Sequence, residues 1–454
     1  MTLLLENAVA RPAGAADRGS AIRRSPGHKF FLFLCGVLLG YALAGRGFAY
    51  VGIPPLFISE IALAIGMIVL LRTRGWYSLL QMPPVIALAA LVGWCICRTV
   101  PYWNYYGLDA IRDAAVYYYS GYAIIVAAIL ITEPGLFRPV FRYYKQFARI
   151  FLVGIPLVAI AYRFGHDLIP QWPWAATPIL QEKEGDVMVH LGGILAFWAA
   201  GTGGTPGLGW SILLAADAAL LGVIDRSGLL AFLAVLALVM MHKPLSSVPW
   251  RLIAAGALAI AVVWVSGVDI PIPGGKGREL SFQQIEMNVT SMVIDTGRDG
   301  MDSTKEWRLA WWDTIWRETV DGPFFWRGRG FGINLADDDG FQVQADHSLR
   351  SPHSAHMTFL ARAGVPGLAL WIVTQLAWGG WILSAYIRSR RSGDVRWQGV
   401  FFFLLAYWVA FLVNASFDVY LEGPMGGMWF WTVWGVGLGA LALFERHPEV
   451  LQSP

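Results

Sequence analysis

The chain has 454 residues, 56% of them hydrophobic and 14% charged, with a formal net charge of +3. Soluble globular chains carry about 25% charged residues, so the composition excludes an ordinary soluble protein. So small a charge, with its basic residues dispersed, gives no footing for a nucleic-acid partner. The 22 tryptophans and 50 glycines point instead to an integral membrane protein, where both residue types are enriched.

Residues 1–28 are polar and basic, with Arg11, Arg18, Arg23 and Arg24. They lack the short apolar core and small-residue cleavage site of a signal peptide and read as a cytoplasmic tail. Twelve apolar segments follow, at 30–48, 52–71, 79–97, 114–132, 147–162, 188–204, 208–224, 228–241, 251–268, 367–387, 398–417 and 426–444. Each approaches the roughly 20 residues that a span needs. The expected fold is all-α, a polytopic membrane bundle of about 12 transmembrane helices. Nine lie within 29–268, a large loop occupies 269–354, three more lie within 355–446, and 447–454 form a second short tail. Lys and Arg of the short connections are concentrated on the side that carries both termini. The positive-inside rule makes that side cytoplasmic and the large loop outward-facing.

Three further connections share the outer face. Residues 98–113 combine interfacial aromatics with Asp109, Arg112 and Asp113. Residues 163–187 carry Arg163, His166, Asp167, Glu182, Lys183, Glu184 and Asp186. The third is the tight Asp225-Arg226-Ser227 turn between two apolar runs. Cys35, Cys95 and Cys97 lie in apolar segments without metal-ligand spacing and read as small buried hydrophobes. Asn288-Val-Thr290 and Asn414-Ala-Ser416 match a glycosylation sequon that is short enough to arise by chance.

Chemistry is expected from the outer face. Arg226, at the membrane surface, is costly unless it is paired, snorkelling or facing a wet cavity. Arg308 falls on a helix that Ser303 or Thr304 can cap. Trp307, Trp311 and Ile315 form a stripe on that helix, widened by Trp312 and Trp316, and it should lie on the bilayer or on the bundle mouth. Trp326–Gly332 is a glycine-rich turn bearing Arg327 and Arg329. Asp337–Asp339 form an acidic patch that oxygen-seeking cations could use, although a solvated loop fits the spacing better. Ser351, Pro352 and His353 read as N-cap, N1 and N2 of a helix that breaks at Gly364-Val-Pro-Gly367. A histidine in a first turn is held neutral by the helix dipole and can accept a proton as a general base. His356 lies one turn further on. Arginine forks match phosphate oxygens, so the set suits an anionic, lipid-anchored substrate.

Three stretches carry a family resemblance. Asp225-Arg226-Ser227-Gly228-Leu-Leu resembles a Ser/Thr–Arg–Gly motif at the start of a span. Arg308-Leu-Ala-Trp-Trp312, then Asp321-Gly-Pro323 and Gly328-Arg-Gly330, resembles an R-x-x-x-W … P-x-x-G-x-G loop, with extra residues before Gly328. Pro352-His353-Ser354, followed by Gly364 and Gly367, resembles H-N-x-x-L … G-x-x-G, with Ser354 for the usual Asn and Met357 for the usual Leu. The chain thereby resembles the O-antigen ligase and O-antigen polymerase superfamily of bacterial membrane glycosyltransferases.

That resemblance implies a GT-C-like fold in the inner membrane with a large periplasmic loop containing interfacial helices. It implies a metal-independent, inverting glycan transfer without cofactors. The donor would be an undecaprenyl-diphosphate-linked glycan, and the acceptor a glycan, lipid A core or protein hydroxyl. It assigns diphosphate binding to Arg226 and Arg308 and acceptor activation to His353, with Arg329 and Arg350 as further contacts. The competing class is a polysaccharide transporter or lipid-linked glycan flippase. Such a protein would place charge along the spans and its substrate site near the midplane, whereas this chain concentrates charge at the outer rim.

Overall fold

The computed structural model describes residues 25–73, 75–222, 224–242 and 299–452, with 250, 254, 256, 258, 261, 265, 270, 271, 279 and 280. The tail before Ser25, the Asn288 sequon, most of the 251–268 segment and most of the loop up to residue 298 lie outside the described residues. The protein is an all-α polytopic membrane protein. Its principal helices are α1 Pro26–Ala44, α2 Ile58–Arg72, α3 Pro83–Thr99, α4 Gly121–Thr132, α5 Phe137–Phe164, α6 Glu184–Ala199, α7 Leu208–Gly222 and α8 Arg226–His242. They continue with α9 Asp299–Thr319, α10 Ala355–Arg391, α11 Val395–Ala415 and α12 Pro424–Arg446. Among the described residues only two-residue strands accompany them.

Among the described residues, seven helices are long and apolar enough to cross a membrane: those at 26–44, 83–106, 115–132, 134–164, 355–391, 395–417 and 424–446. α7 and α8 are shorter apolar helices. The segment expected at 147–162 belongs to a helix that starts ten residues earlier, at Phe137. Hydropathy detects only its apolar half, but the backbone stays helical through the basic half that carries Arg138, Arg142, Lys145 and Arg149. Ser25 starts α1 by accepting from the His28 N–H, with Pro26 at the first helical position. Asp394 does the same for α11 through the Trp397 N–H.

α12 lies at the centre, 94% of its apolar window buried, and packs along α4. α6, α8 and α11 pack pairwise against one another, and α10 packs on α3 and α11. The close approach of α6 and α8 depends on glycine. A Cβ on Gly228 would stand 2.9 Å from the Gly185 Cα and 2.8 Å from the Met188 Cβ, too near for any side chain. The Arg226 end of α8 therefore sits directly against the first turn of α6.

α10 breaks where the sequence predicts. Gly364 has φ 72° and ψ −174°, a conformation that favours glycine. The break frees the Ala361 and Arg362 carbonyls, and the glycine-rich turn supplies their donors. Arg329 N–H donates to Ala361 at 2.8 Å, and Gly330 N–H donates to Arg362 at 2.9 Å. The Val365 N–H donates to the Phe325 carbonyl at 2.8 Å, so the turn and the kink form one unit.

Two expected helix starts move. α9 begins at Asp299, so Ser303 and Thr304 lie inside it rather than capping it. A cap-forming residue marks a start only where the chain before it leaves helical angles. α10 begins at Ala355, with Ser354 as N-cap (φ −157°, ψ 123°) accepting from Met357 N–H. His353 is therefore not in the first turn. It precedes the cap and takes φ 55°. Ser and Asn are nearly equivalent N-caps, so either residue could start the helix at position 354.

Candidate active site

Five segments from distant parts of the chain meet at one end of the α6–α8–α11 unit. α8 contributes its N-terminus, where Asp225 caps the helix by accepting from Gly228 N–H at 2.7 Å and Ser227 Oγ at 2.6 Å. Ser227 Oγ also reaches Asn414 Oδ1 at 3.1 Å. Arg226 follows the cap at the first helical position. A cation there opposes the helix dipole, and both the cation and the dipole attract an anion.

Arg308 comes from α9, and its Nη1 donates to the Phe417 carbonyl at 2.8 Å. Its Nε is buried without a hydrogen-bond partner among the described residues. Burial lowers the pKa of the guanidinium, and the Asp418 and Asp225 carboxylates oppose that shift. Arg308 thus shares the field of the acid next to Arg226. Tryptophans hold α9 in place. Trp312 Nε1 donates to the Pro352 carbonyl at 2.7 Å and Trp311 Nε1 to Asp339 at 2.6 Å. Trp311 and Ile315 are fully buried against Leu360 and Ala361 of α10. Of the two sequence alternatives for this stripe, it is the bundle mouth that α9 covers.

His353 sits between α9 and the 416–423 connection. Its ring meets Trp307 edge-on at 6.0 Å, and its Nδ1 stands 3.7 Å from Asp418 Oδ1. Lys183 anchors Asp418 from the far side, Nζ to Oδ2 at 2.7 Å, and also donates to the Val419 carbonyl at 2.5 Å. Burial alone would raise the Asp418 carboxyl, but Lys183 and the His353 ring outweigh it and hold the carboxyl down at about 2. A depressed carboxylate stabilises the fold above its unfolded pKa, and that contribution is lost as pH falls through about 2. Asp418 is therefore an ionised, fixed neighbour of the imidazole at any working pH.

A cavity of about 940 Å³ opens beside this group, lined by His353, Asp418, Lys183, Arg350, Arg362 and Glu422, together with tyrosines and apolar side chains. Its size is that of a pocket for an organic ligand. Arg226 and Arg308 are not among its lining residues. The imidazole therefore has the cavity on one side and the Arg308 segment on the other.

Residues 210–372 match the Wzy_C family model, described as O-antigen ligase. That stretch is similar to O-antigen ligases. No curated protein matches the chain. The match supports the O-antigen ligase superfamily and with it an enzymatic role in glycan transfer during surface-polysaccharide assembly. Arg226, Arg308 and His353 all fall inside the ligase match, and Lys183, Asp418 and Glu422 fall outside it.

The remaining sequence candidates within the match take structural partners. Arg329 is 4% exposed and ion-paired to Glu318, Asp339 and, at 2.9 Å, Asp338. Its guanidinium is committed to protein carboxylates rather than aimed at a ligand. Within the acidic patch, Asp338 and Asp339 hold Arg329, while Asp337 and Asp338 stay exposed, as a solvated loop would have them, and Asp337 bonds His347 at 2.8 Å. His356 accepts from Trp371 Nε1 at Nδ1, 3.0 Å, which leaves Nε2 to donate to Ser416 Oγ at 3.0 Å. Both its ring nitrogens are spent. Arg350 lines the cavity and bonds Asp113 at 3.0 Å and the Gly332 carbonyl at 2.7 Å.

Sequence reasoning did not single out Asp418, Glu422 or Arg362, and treated Lys183 only as part of a charged connection. One signal existed for Asp418, an acid directly after the apolar run 398–417. The signal for Arg362 was a charge within the apolar helix 355–391. That arginine pairs with Asp113 at 2.9 Å and donates to the Gly330, Ile333 and Arg350 carbonyls.

Proposed function

We propose that this protein transfers a glycan from undecaprenyl diphosphate to an acceptor hydroxyl at the periplasmic face of the inner membrane, during polymerisation or ligation of surface polysaccharide. In this reading both termini are cytoplasmic and the 269–354 loop is periplasmic. The observation that carries it is the convergence of Arg308, the Asp225–Arg226 turn and His353 around Asp418, inside and beside the O-antigen ligase match.

Arg226 and Arg308 hold the diphosphate, whose negative charge grows as its bond to the anomeric carbon breaks. Fixed guanidiniums stabilise that charge without reorganising. His353 takes the acceptor proton as the acceptor oxygen forms the new glycosidic bond. The electron pair of the broken bond leaves with the diphosphate. Attack from the side opposite the leaving group inverts the anomeric centre. The two arginines take the charge-neutralising part that a metal ion plays elsewhere. Asp418 orients the imidazole and stabilises the imidazolium that forms.

Proteoliposomes loaded with lipid-linked glycan and acceptor test this. The wild-type protein should form a new glycosidic bond, and Arg308→Ala should lower kcat by about 10²–10³-fold, the usual cost of one such donor. Lipid-linked glycan that crosses the bilayer without any new bond would overturn the reading in favour of a transporter. Asp418→Asn should lower kcat and leave the donor KM nearly unchanged, because it acts through His353 rather than on the diphosphate. A donor KM that rises with kcat constant would remove that positioning role.

A further inference from the structure

The stretch Phe417-Asp418-Val419, just after α11, is held at each of its three residues. Arg308 of α9 donates to the Phe417 carbonyl at 2.8 Å. The ammonium of Lys183 takes the other two, donating to Asp418 Oδ2 at 2.7 Å and to the Val419 carbonyl at 2.5 Å. Asp418 Oδ1 accepts from the Val419 N–H at 2.8 Å and faces His353, whose Nδ1 stands 3.7 Å away. That Nδ1 is buried with no hydrogen bond among the described residues. One cation thus fixes both the carboxylate and the backbone of the residue that faces the ring.

Lysine carries its charge on a flexible stem, so it fixes a partner only where its own backbone is fixed. The strap that delivers Lys183 meets this condition. Residues 170–179 close on themselves, with Trp172 N–H donating to the Thr177 carbonyl at 3.0 Å and Ile179 N–H to the Pro170 carbonyl at 2.9 Å. Two residues before Lys183, Gln181 pairs with the end of α1. Its N–H donates to the Ala44 carbonyl at 3.1 Å, and its carbonyl accepts from Arg46 N–H at 2.8 Å. Trp172 Nε1 donates to the Gly47 carbonyl at 2.7 Å. A Cβ on Gly47 would run into the Ile179 carbonyl oxygen, so the seat takes the strap only with glycine there. Lys183 itself lies outside the 210–372 match.

We propose that Lys183 is a positioning residue of the glycan-transfer site, aiming the Asp418 carboxylate at His353 and holding the imidazole in its proton-accepting form. This role rests on the reading of His353 as the base. The other charged groups around the ring and Asp418 are Glu422 of the same connection, Arg308 of α9, the Asp225–Arg226 turn of α8, Asp186 of α6, and Arg350 and Arg362 across the cavity. Lys183 bonds Asp418 directly. Removing its charge leaves the field of the carboxylate on the ring uncompensated, which favours the imidazolium. An imidazolium cannot accept the acceptor's proton, so loss of Lys183 moves base activity to higher pH.

The test reads the His353 ring directly, in the full chain in lipid nanodiscs. Diethyl pyrocarbonate acylates neutral imidazole, and peptide mass spectrometry follows its rate at His353 between about pH 5 and 8. The side chain is 26% exposed, so the reagent can reach it. The midpoint of that curve should rise by about one pH unit in Lys183→Met and in Lys183→Gln, and stay near the wild-type value in Lys183→Arg. The acid limb of kcat should follow it, with the donor KM nearly unchanged. Lys183→Gln keeps a hydrogen-bond donor for Asp418, so the test survives a Met variant that fails to fold. A midpoint unmoved or lowered in the neutral variants, or raised equally in Lys183→Arg, would overturn the proposal. A lysine that only braced the fold would give the first of these, with lower yield. Acylation needs no turnover, so the result for Lys183 stands whether or not glycan is transferred. Absence of product from the wild-type protein, with the titration intact, would count against the transfer reading instead.

Discussion

Replacing His353 should abolish glycan transfer while the protein remains folded and membrane-inserted. A positioned general base contributes about 10²–10⁴-fold, and the loss should fall in that range or below detection. The choice of variant matters, because His353 holds φ 55°. Asparagine tolerates that region better than alanine, so His353→Asn isolates the missing base and His353→Ala adds backbone strain. The side chain is 26% exposed and touches Trp307 only edge-on, so little packing is lost. Product formation from lipid-linked donor, with detergent-extracted yield as the folding control, gives the answer. Normal product from His353→Asn would remove the histidine from catalysis.

Arg329→Met should act in the opposite manner, through folding. It deletes the cation that compensates Asp339, whose side chain is 1% exposed, and leaves Glu318 and Asp338 facing it. Breaking a buried ion pair on one side costs about 3–5 kcal/mol. The turn that satisfies the Ala361 and Arg362 carbonyls hangs on this cage, so the α10 kink should loosen with it. Thermal denaturation in detergent should show a large drop in Tm, and Asp339→Asn added to Arg329→Met should recover part of it. A variant as stable as the wild type yet inactive would return Arg329 to the substrate.

The helical architecture was legible because apolar runs of span length have few other uses. The break at Gly364 could be read from Gly-Val-Pro-Gly. Hydropathy misplaced the start of α5, because a basic amphipathic half continues the same backbone hydrogen bonding as the apolar half. His353 was identified by residue type and company, but its backbone state was not. Proline before histidine suggests a first turn, and Ser354 takes the cap instead. Arg329 and His356 stood as further candidates beside Arg308 and His353 in the sequence, because residue type cannot show that the acids nearest Arg329 are folded onto it.

Composition by itself determined the membrane class, and the expected outward placement of the polar loop and the proposed trio Arg226, Arg308 and His353 were read from charge and motif spacing. Only the tertiary structure decided which charges are spent. It paired Arg329 with Asp339, Arg362 with Asp113 and Lys183 with Asp418, residues 10, 249 and 235 positions apart. It also buried unmet oxygens of Glu182 and Glu422, two residues that line the cavity through other atoms. The physical reason is that a charge's role depends on its nearest opposite charge and its access to water. In a bundle of this kind both are fixed by helix packing between distant segments, here by α8 closing on Gly185 and α9 closing on the kinked α10.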